Sequence, residues 1–342
     1  MKKLSEIISA EPQSDELDDT PDSSAEVELR EWHIQAQQHD MRLDRALAEL
    51  VPEFSRSYLQ QLIQAGAVTR LGQALTKASS TVKAGETGVI ELRPTPQSQA
   101  FTPQAMDLSV VFEDEHLRVI HKPAGLVVHP APGNWSGTLL NGLLALDAKA
   151  ANLPRAGIVH RLDKDTSGLM VVARTRQAMD ALVHLIAQRN VSRQYLAIVH
   201  KPWKRASPLD IDAPIGRDPR NRLRMAVVDL SHQAGKTAKT TVELLAGNES
   251  GAFVKCTLHT GRTHQIRVHL ASIGHPLLAD AVYDGPPAAG MQRQALHAWQ
   301  LAFTHPITQE KHVWQAALPP DMQAALSAWG LGYNALKDLP QF

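Results

Sequence analysis

Between Leu108 and His259 the chain keeps returning to short apolar, β-prone runs: Leu108–Phe112, Leu117–His121, Leu169–Ala173, Tyr195–Val199, Thr240–Leu245 and Val254–His259. Helical spacing interrupts them at Met179, Leu182, Val183 and Ile186. It returns at Ile266, Leu270 and Ile273, where Gly274 is a natural stop. Strand and helix interleave without regular alternation. That favours a mixed α+β domain over a doubly wound sheet or an α/β barrel. There is no tandem repeat, no GxGxxG and no GxxxxGK[ST] phosphate loop.

Upstream, Leu43, Ala46, Leu47 and Leu50 fall on one helical face that Pro52 ends. Ser55 is placed to cap a second helix carrying Tyr58, Leu59, Leu62 and Ile63, with Gly66 as its stop. Short β-prone pieces at Val68-Thr69 and Val89–Leu92 complete a small helix–helix–hairpin unit. The predicted organisation is an acidic disordered tail at 1–40, this unit at 41–93, and a Pro/Gln-rich linker at 94–104. The α+β domain follows at 105–325, with a C-terminal extension at 326–342.

Charge supports that division. The 35 Lys and Arg balance 35 Asp and Glu, yet residues 1–31 hold ten acids and three bases, which leaves the rest of the chain at +7. A tail so acidic and so poor in large apolar residues cannot offset its ordering entropy. No run approaches the ~20 apolar residues of a membrane span. The single cysteine, Cys256, has no partner for an internal disulfide, and the start Met-Lys-Lys-Leu-Ser-Glu lacks a secretory apolar stretch. A cytoplasmic protein with a basic folded part and no membrane association is expected.

Two polar clusters stand out. His160-Arg161-Leu162-Asp163-Lys164-Asp165-Thr166-Ser167-Gly168 is wedged between apolar runs, where loops carry reactive side chains. Equally, Arg161 and Asp163 could simply pair within a turn. In Thr260–His269, Thr263 is placed to cap a helix, which sets Arg262 at a helix N-terminus suited to an anion. His264 and His269 are spaced poorly for a shared metal. Residues 189–239 hold eleven bases against four acids, including Arg217, Arg220, Arg222 and Arg224, and read as a phosphate-backbone track.

Gly157-Ile158-Val159-His160-Arg161-Leu162-Asp163-Lys164-Asp165-Thr166 resembles the signature of the RluA family of RNA pseudouridine synthases. So do His121–Pro130, Arg193-x-Tyr195, Gly261–His269, and His275-Pro276-Leu277 with Asp280 and Tyr283. Residues 41–93 resemble the ribosomal-protein-S-four-type RNA-binding module through Arg42-Leu43-Asp44, Ser55-Arg56 and Ile63-x-x-Gly66-x-Val68. The chain departs from the usual pattern at Arg70-Leu71-Gly72 and at Ala279–Gly285, the latter outside the expected chemistry. Arg-Leu-Asp occurs twice. The copy at 42–44 is assigned to binding, with Asp44 facing solvent and Arg42 and Arg45 free for phosphate; the copy at 161–163 is assigned to catalysis.

The resemblance implies a mainly antiparallel catalytic domain that isomerises uridines of large-subunit rRNA, at the helix-sixty-nine stem-loop, as a monomer without metal or cofactor. Its essential aspartate would be Asp163, with Arg262 as its cationic partner. Addition to C1′, addition to C6 and removal of the 2′ proton all require this carboxylate to be ionised in a water-poor pocket. Tyr195 would stack the uracil and approach its C5 proton, Arg161 would help flip the base, and Ile266 and Leu277 would close the apolar wall. Arg267 would join the substrate contacts, and Arg42, Arg45, Arg56 and Arg70 the RNA contacts. A flipped base is cheapest in a loop of structured RNA. Two rivals remain: an Mg²⁺-dependent aspartyl-phosphate phosphatase, since Asp163–Thr166 fits DxDxT, and a non-catalytic rRNA-binding assembly factor.

Overall fold

The computed structural model describes residues 28–92, 98–131, 133–221 and 224–332. It divides near residue 95 into two units. In the first, strand β1 (Glu28–His33) is followed by helices α1 (Leu43–Leu50) and α2 (Arg56–Gln64), then β2 (Val68–Arg70), β3 (Gln73–Ala74) and β4 (Thr87–Leu92). The sheet order is β1-β4-β2-β3. Leu43, Ala46 and Leu47 of α1 pack with Leu59, Leu62 and Ile63 of α2 over Val68 and Ile90. Ser55 caps α2, its hydroxyl accepting from Tyr58 N at 3.3 Å, and Gly66 takes the left-handed φ of +71° that ends it.

Strand β1 corrects the expected tail, whose first 27 residues lie outside the described chain. Glu28–His33 pairs antiparallel with the whole of β4. Its charges face solvent while Trp32 is buried, so an edge strand carries the acidic composition of a disordered segment. Asp44 is a second correction. It is fully buried and accepts from Arg42, Arg56 and Gln60, and these partners hold its carboxyl far below the usual carboxylate range. Arg42 and Arg56 are therefore half of a structural cluster as well as exposed cations.

The second unit is built on a nine-stranded sheet. Its members are β5 (Ser109–Glu113), β6 (Leu117–Lys122), β7 (Ser167–Ala173), β8 (Ser192–His200) and β9 (Leu209–Asp212). They are completed by β13 (Lys239–Gly247), β14 (Gly251–Leu258), β15 (Leu296–Thr304) and β16 (Lys311–Gln315). The order is β5-β6-β7-β15-β8-β14-β13-β9, with β16 also on β15, and every pairing is antiparallel except β7 with β15. A separate small sheet, β11-β10-β12, is formed by β10 (Ile215–Arg217), β11 (Met225–Val227) and β12 (Gly235–Lys236). This is the expected mixed, mainly antiparallel α+β fold.

Both faces of the large sheet are covered, so its central strands are apolar throughout. Helices α3 (Leu139–Leu146) and α5 (Gln265–Ser272) lie on one face, packed with Met170, Val172, Tyr195, Ala197 and Val199. The residues between these point the other way: Leu169 and Val171 toward α4 (Arg176–Ala187), Leu196 and Ile198 toward α6 (Pro320–Ala328). The expected boundary at 325 cuts through α6, whose Leu326, with Leu331 beyond it, is core. The second half of the expected linker also belongs here. Asn141 of α3 donates to the Ala100 and Thr102 carbonyls at 3.2 and 2.9 Å, and Gln104 accepts from Gly137 N at 2.6 Å.

Candidate active site

Asp163 sits in the loop that enters β7, and the loop is held by a buried lysine. Lys122, 1% exposed at the end of β6, uses its three ammonium hydrogens on the carbonyls of Pro123, Leu126 and Lys164 at 2.8, 2.9 and 2.9 Å. Burial lowers its pKa to about 8, against the opposing charges of Asp165 and Asp163. From the far side Arg293 donates to Asp165 O at 3.0 Å. Gly168 follows at φ +118°, where a Cβ would lie 2.3 Å from Ala298 O, so the close parallel approach of β7 to β15 needs glycine.

The Asp163 carboxylate opens into a cavity of about 350 Å³, a volume suited to a small-molecule fragment such as one nucleoside. Tyr195 of β8 lines the same cavity, 6% exposed, and burial raises its phenol pKa to about 12. Arg161, Arg193, Arg262, Ile266, Arg267 and Leu296 share the lining. Leu277 does not. It bridges Val199 and is fully buried in the core, so the apolar wall is supplied by Ile266, Leu162 and Leu296 instead.

The cation against Asp163 is Arg267, not Arg262. Arg267 Nη1 lies 3.0 Å from Asp163 Oδ2, while its Nε and Nη2 bind the two oxygens of buried Asp280 at 2.8 Å each. The ring of Tyr283 lies 5.1 Å beneath the guanidinium. Burial alone would lower the Arg267 pKa; the bonds to Asp280 and the charge of Asp163 outweigh it and keep the group cationic. Arg262 instead donates Nε to Thr237 O at 3.0 Å. The cause is the start of α5: Thr263 does not cap it, and the N-cap is His264 in a left-handed conformation. Arg267 is thereby carried inward with α5's buried face, while Arg262 stays at the rim.

Asp280 and Tyr283, expected to lie outside the chemistry, thus complete the site. Tyr283 OH accepts from Met225 N at 3.0 Å and is hydrogen-bonded to His264 Nδ1 at 2.8 Å. The other ring nitrogen, Nε2, lies 3.9 Å from Asp163 Oδ1. Burial holds the His264 pKa below its ordinary value, with Asp163 opposing. His269 serves the fold, bound to Thr240 Oγ1 and Ala213 O at 2.9 Å each. Among the described residues no group of three or more His, Cys, Asp or Glu side chains is arranged to hold a metal. Asp163–Thr166 precedes the third strand of a mainly antiparallel sheet, not the first strand of an alternating α/β domain as DxDxT phosphatase chemistry requires.

The remaining expected RNA contacts are dispersed. Arg45 is exposed with Glu49 at 3.9 Å, and Arg70 pairs with Glu86 at 2.8 Å. Arg217 and Arg220 are exposed on the small-sheet arm. Arg224 is tied to Asp218 at 3.0 Å and lies 5.3 Å over the Tyr283 ring, so it anchors the arm to the site. Arg222 lies outside the described residues. The roles of Lys122, Asp280, Tyr283 and His264 rest on contacts between segments far apart in the chain, which local spacing does not show.

The RNA pseudouridylate synthase family model matches residues 116–272, and the S4 domain model matches residues 41–87. The chain is 47% identical to the ribosomal large subunit pseudouridine synthase D of Nitrosomonas europaea, over 84% of each chain. It is 44% identical to the enzyme of that name from Xanthomonas campestris, over 92% of this chain and 96% of the other. Among solved structures, human RNA pseudouridylate synthase domain containing 4 superposes with a TM-score of 0.52 at 28% identity, covering 66% of this chain and 94% of that one.

Proposed function

The chain belongs to the RNA pseudouridylate synthase family, and from that premise we propose that it isomerises specific uridines of large-subunit rRNA, at the helix-sixty-nine stem-loop. The reaction breaks the N1–C1′ bond, turns the uracil and rejoins it through C5, with no net exchange of electrons or groups. The observation that carries the reading is that Asp163 and Tyr195 face one nucleoside-sized cavity with Arg267 fixed beside the carboxylate. The names of the two bacterial relatives support the choice of large-subunit RNA.

In this reading a uridine flipped from its loop enters the cavity and Arg161, exposed at its mouth, takes the space the base vacates. Tyr195 stacks the uracil and keeps its hydroxyl near C5. Asp163 acts at the sugar or at C6, and Arg267 holds its charge in place through each step. The unit at 28–92 supplies RNA affinity through its exposed arginines. We take it to act as a monomer in the cytoplasm, as work on ribosomal RNA requires. Among the described residues no helix is long and apolar enough to cross a membrane. Mapping pseudouridines in the large-subunit rRNA of cells with and without the gene tests this. Loss of modification in the helix-sixty-nine loop is expected; an unchanged map would refute the substrate assignment.

A further inference from the structure

Arg193 is 7% exposed and lines the cavity, yet its Nε has no hydrogen-bond partner and no carboxylate pairs with its guanidinium among the described residues. Leaving a buried cation without an acceptor costs stability, and such groups persist where a ligand completes them. We infer that Arg193 is a phosphate-binding residue of the active site, which receives the phosphodiester next to the flipped uridine. The inference rests on the substrate reading above.

Three features favour a phosphate over another acceptor. Arg193 and Tyr195 are two apart on β8, so they face the same side of the sheet about 7 Å apart along the strand. That spacing suits a nucleotide stacked on the ring with its phosphate at the cation. Next, Arg161, Arg189 and Arg262 share the cavity wall, so its rim attracts anions. Finally, a Cβ on Gly261 would come within 2.8 Å of Arg193 Nη1, so the glycine before Arg262 leaves the room that the guanidinium occupies. Asp163 meanwhile is engaged by Arg267, which leaves Arg193 for the incoming anion.

The test uses the full chain and a synthetic stem-loop whose target uridine has been located by mapping. Two further RNAs each carry one uncharged methylphosphonate linkage, on the 5′ or the 3′ side of that uridine. Wild type should lose about tenfold or more in affinity for one of the neutral RNAs. Arg193→Gln should show that loss already with the natural RNA and no further loss with the neutral one, and Arg193→Lys should recover part of it. Thermal stability of Arg193→Gln should be equal to or above wild type, whereas an arginine kept for structure would lower it on removal. Equal additional losses in wild type and variant, or indifference of wild type to both linkages, would overturn the inference alone. Failure of wild type to convert the natural RNA would overturn the substrate reading and this inference with it.

Discussion

Arg267 divides its guanidinium between two carboxylates: one nitrogen meets Asp163 at 3.0 Å and the other two hold Asp280 at 2.8 Å. Asp163 borders the cavity while Asp280 is sealed behind it. The fork on Asp280 fixes the plane of the guanidinium, and the free arm then meets Asp163 with no geometric freedom left.

Lysine cannot reproduce that division, because a point ammonium has no planar fork. Arg267→Lys should lower kcat on the order of 10²-fold with little change in RNA affinity. Asp280→Asn, two contacts from the substrate, should lower kcat more than it raises KM. Single-turnover kinetics on a stem-loop substrate would measure both. An Asp280→Asn enzyme with wild-type kcat and raised KM would show that Asp280 does not position Arg267.

The loop that carries Asp163 depends on Lys122. Lys122→Met fills the volume but leaves three carbonyls without their donor, and should destabilise the catalytic unit by about 3 kcal/mol or more. Urea unfolding of wild type and variant would measure it. A variant of unchanged midpoint would mean that the loop is held by other contacts.

Acid should destabilise the chain through half-buried His160, whose Nε2 accepts from Val171 N at 3.0 Å. Burial, then the charge of Arg193, lowers its pKa to about 3. The unfolded chain takes this proton near 6.5, so between 6.5 and 3 the unfolded state binds more protons and stability falls as pH falls. Burial holds His297 near 4 and adds in the same direction. His160→Asn removes the titration and should make the decline from pH 7 to 4.5 shallower by on the order of 1–2 kcal/mol. Parallel declines in the two proteins would exclude His160.

These contacts mark what the sequence made legible. Strands and helices with a clear apolar period, such as Leu169–Ala173 and Met179–Ile186, are read from local spacing and lie where expected. Asp163 and Tyr195 stand in local motifs, and both line one cavity. The pairing of Arg267 with Asp163 is not legible in the sequence, because it spans 104 positions and depends on how α5 begins, and the left-handed N-cap at His264 has no sequence signal of its own. Strand β1 is hidden for the opposite reason: an edge strand needs only one buried side chain, Trp32, and its charges resemble those of a disordered tail.

The contacts of Ala100 and Thr102 with Asn141 show where the catalytic unit can be cut. A chain beginning at residue 98 should fold and retain chemistry at low salt. It should bind RNA more weakly, with a salt dependence shallower by about one to three phosphate contacts than the full chain. Binding across a salt series would measure this, and equal slopes and affinities would remove RNA binding from the unit at 28–92.

The central claim is that Asp163 is the reacting carboxylate of an RNA uridine isomerase. Asp163→Asn and Asp165→Asn, purified side by side and assayed for pseudouridine formation and for RNA binding, test it most directly. The account predicts that Asp163→Asn binds RNA nearly as wild type and forms no pseudouridine, while Asp165→Asn retains measurable activity. An active Asp163→Asn beside an inactive Asp165→Asn would contradict it.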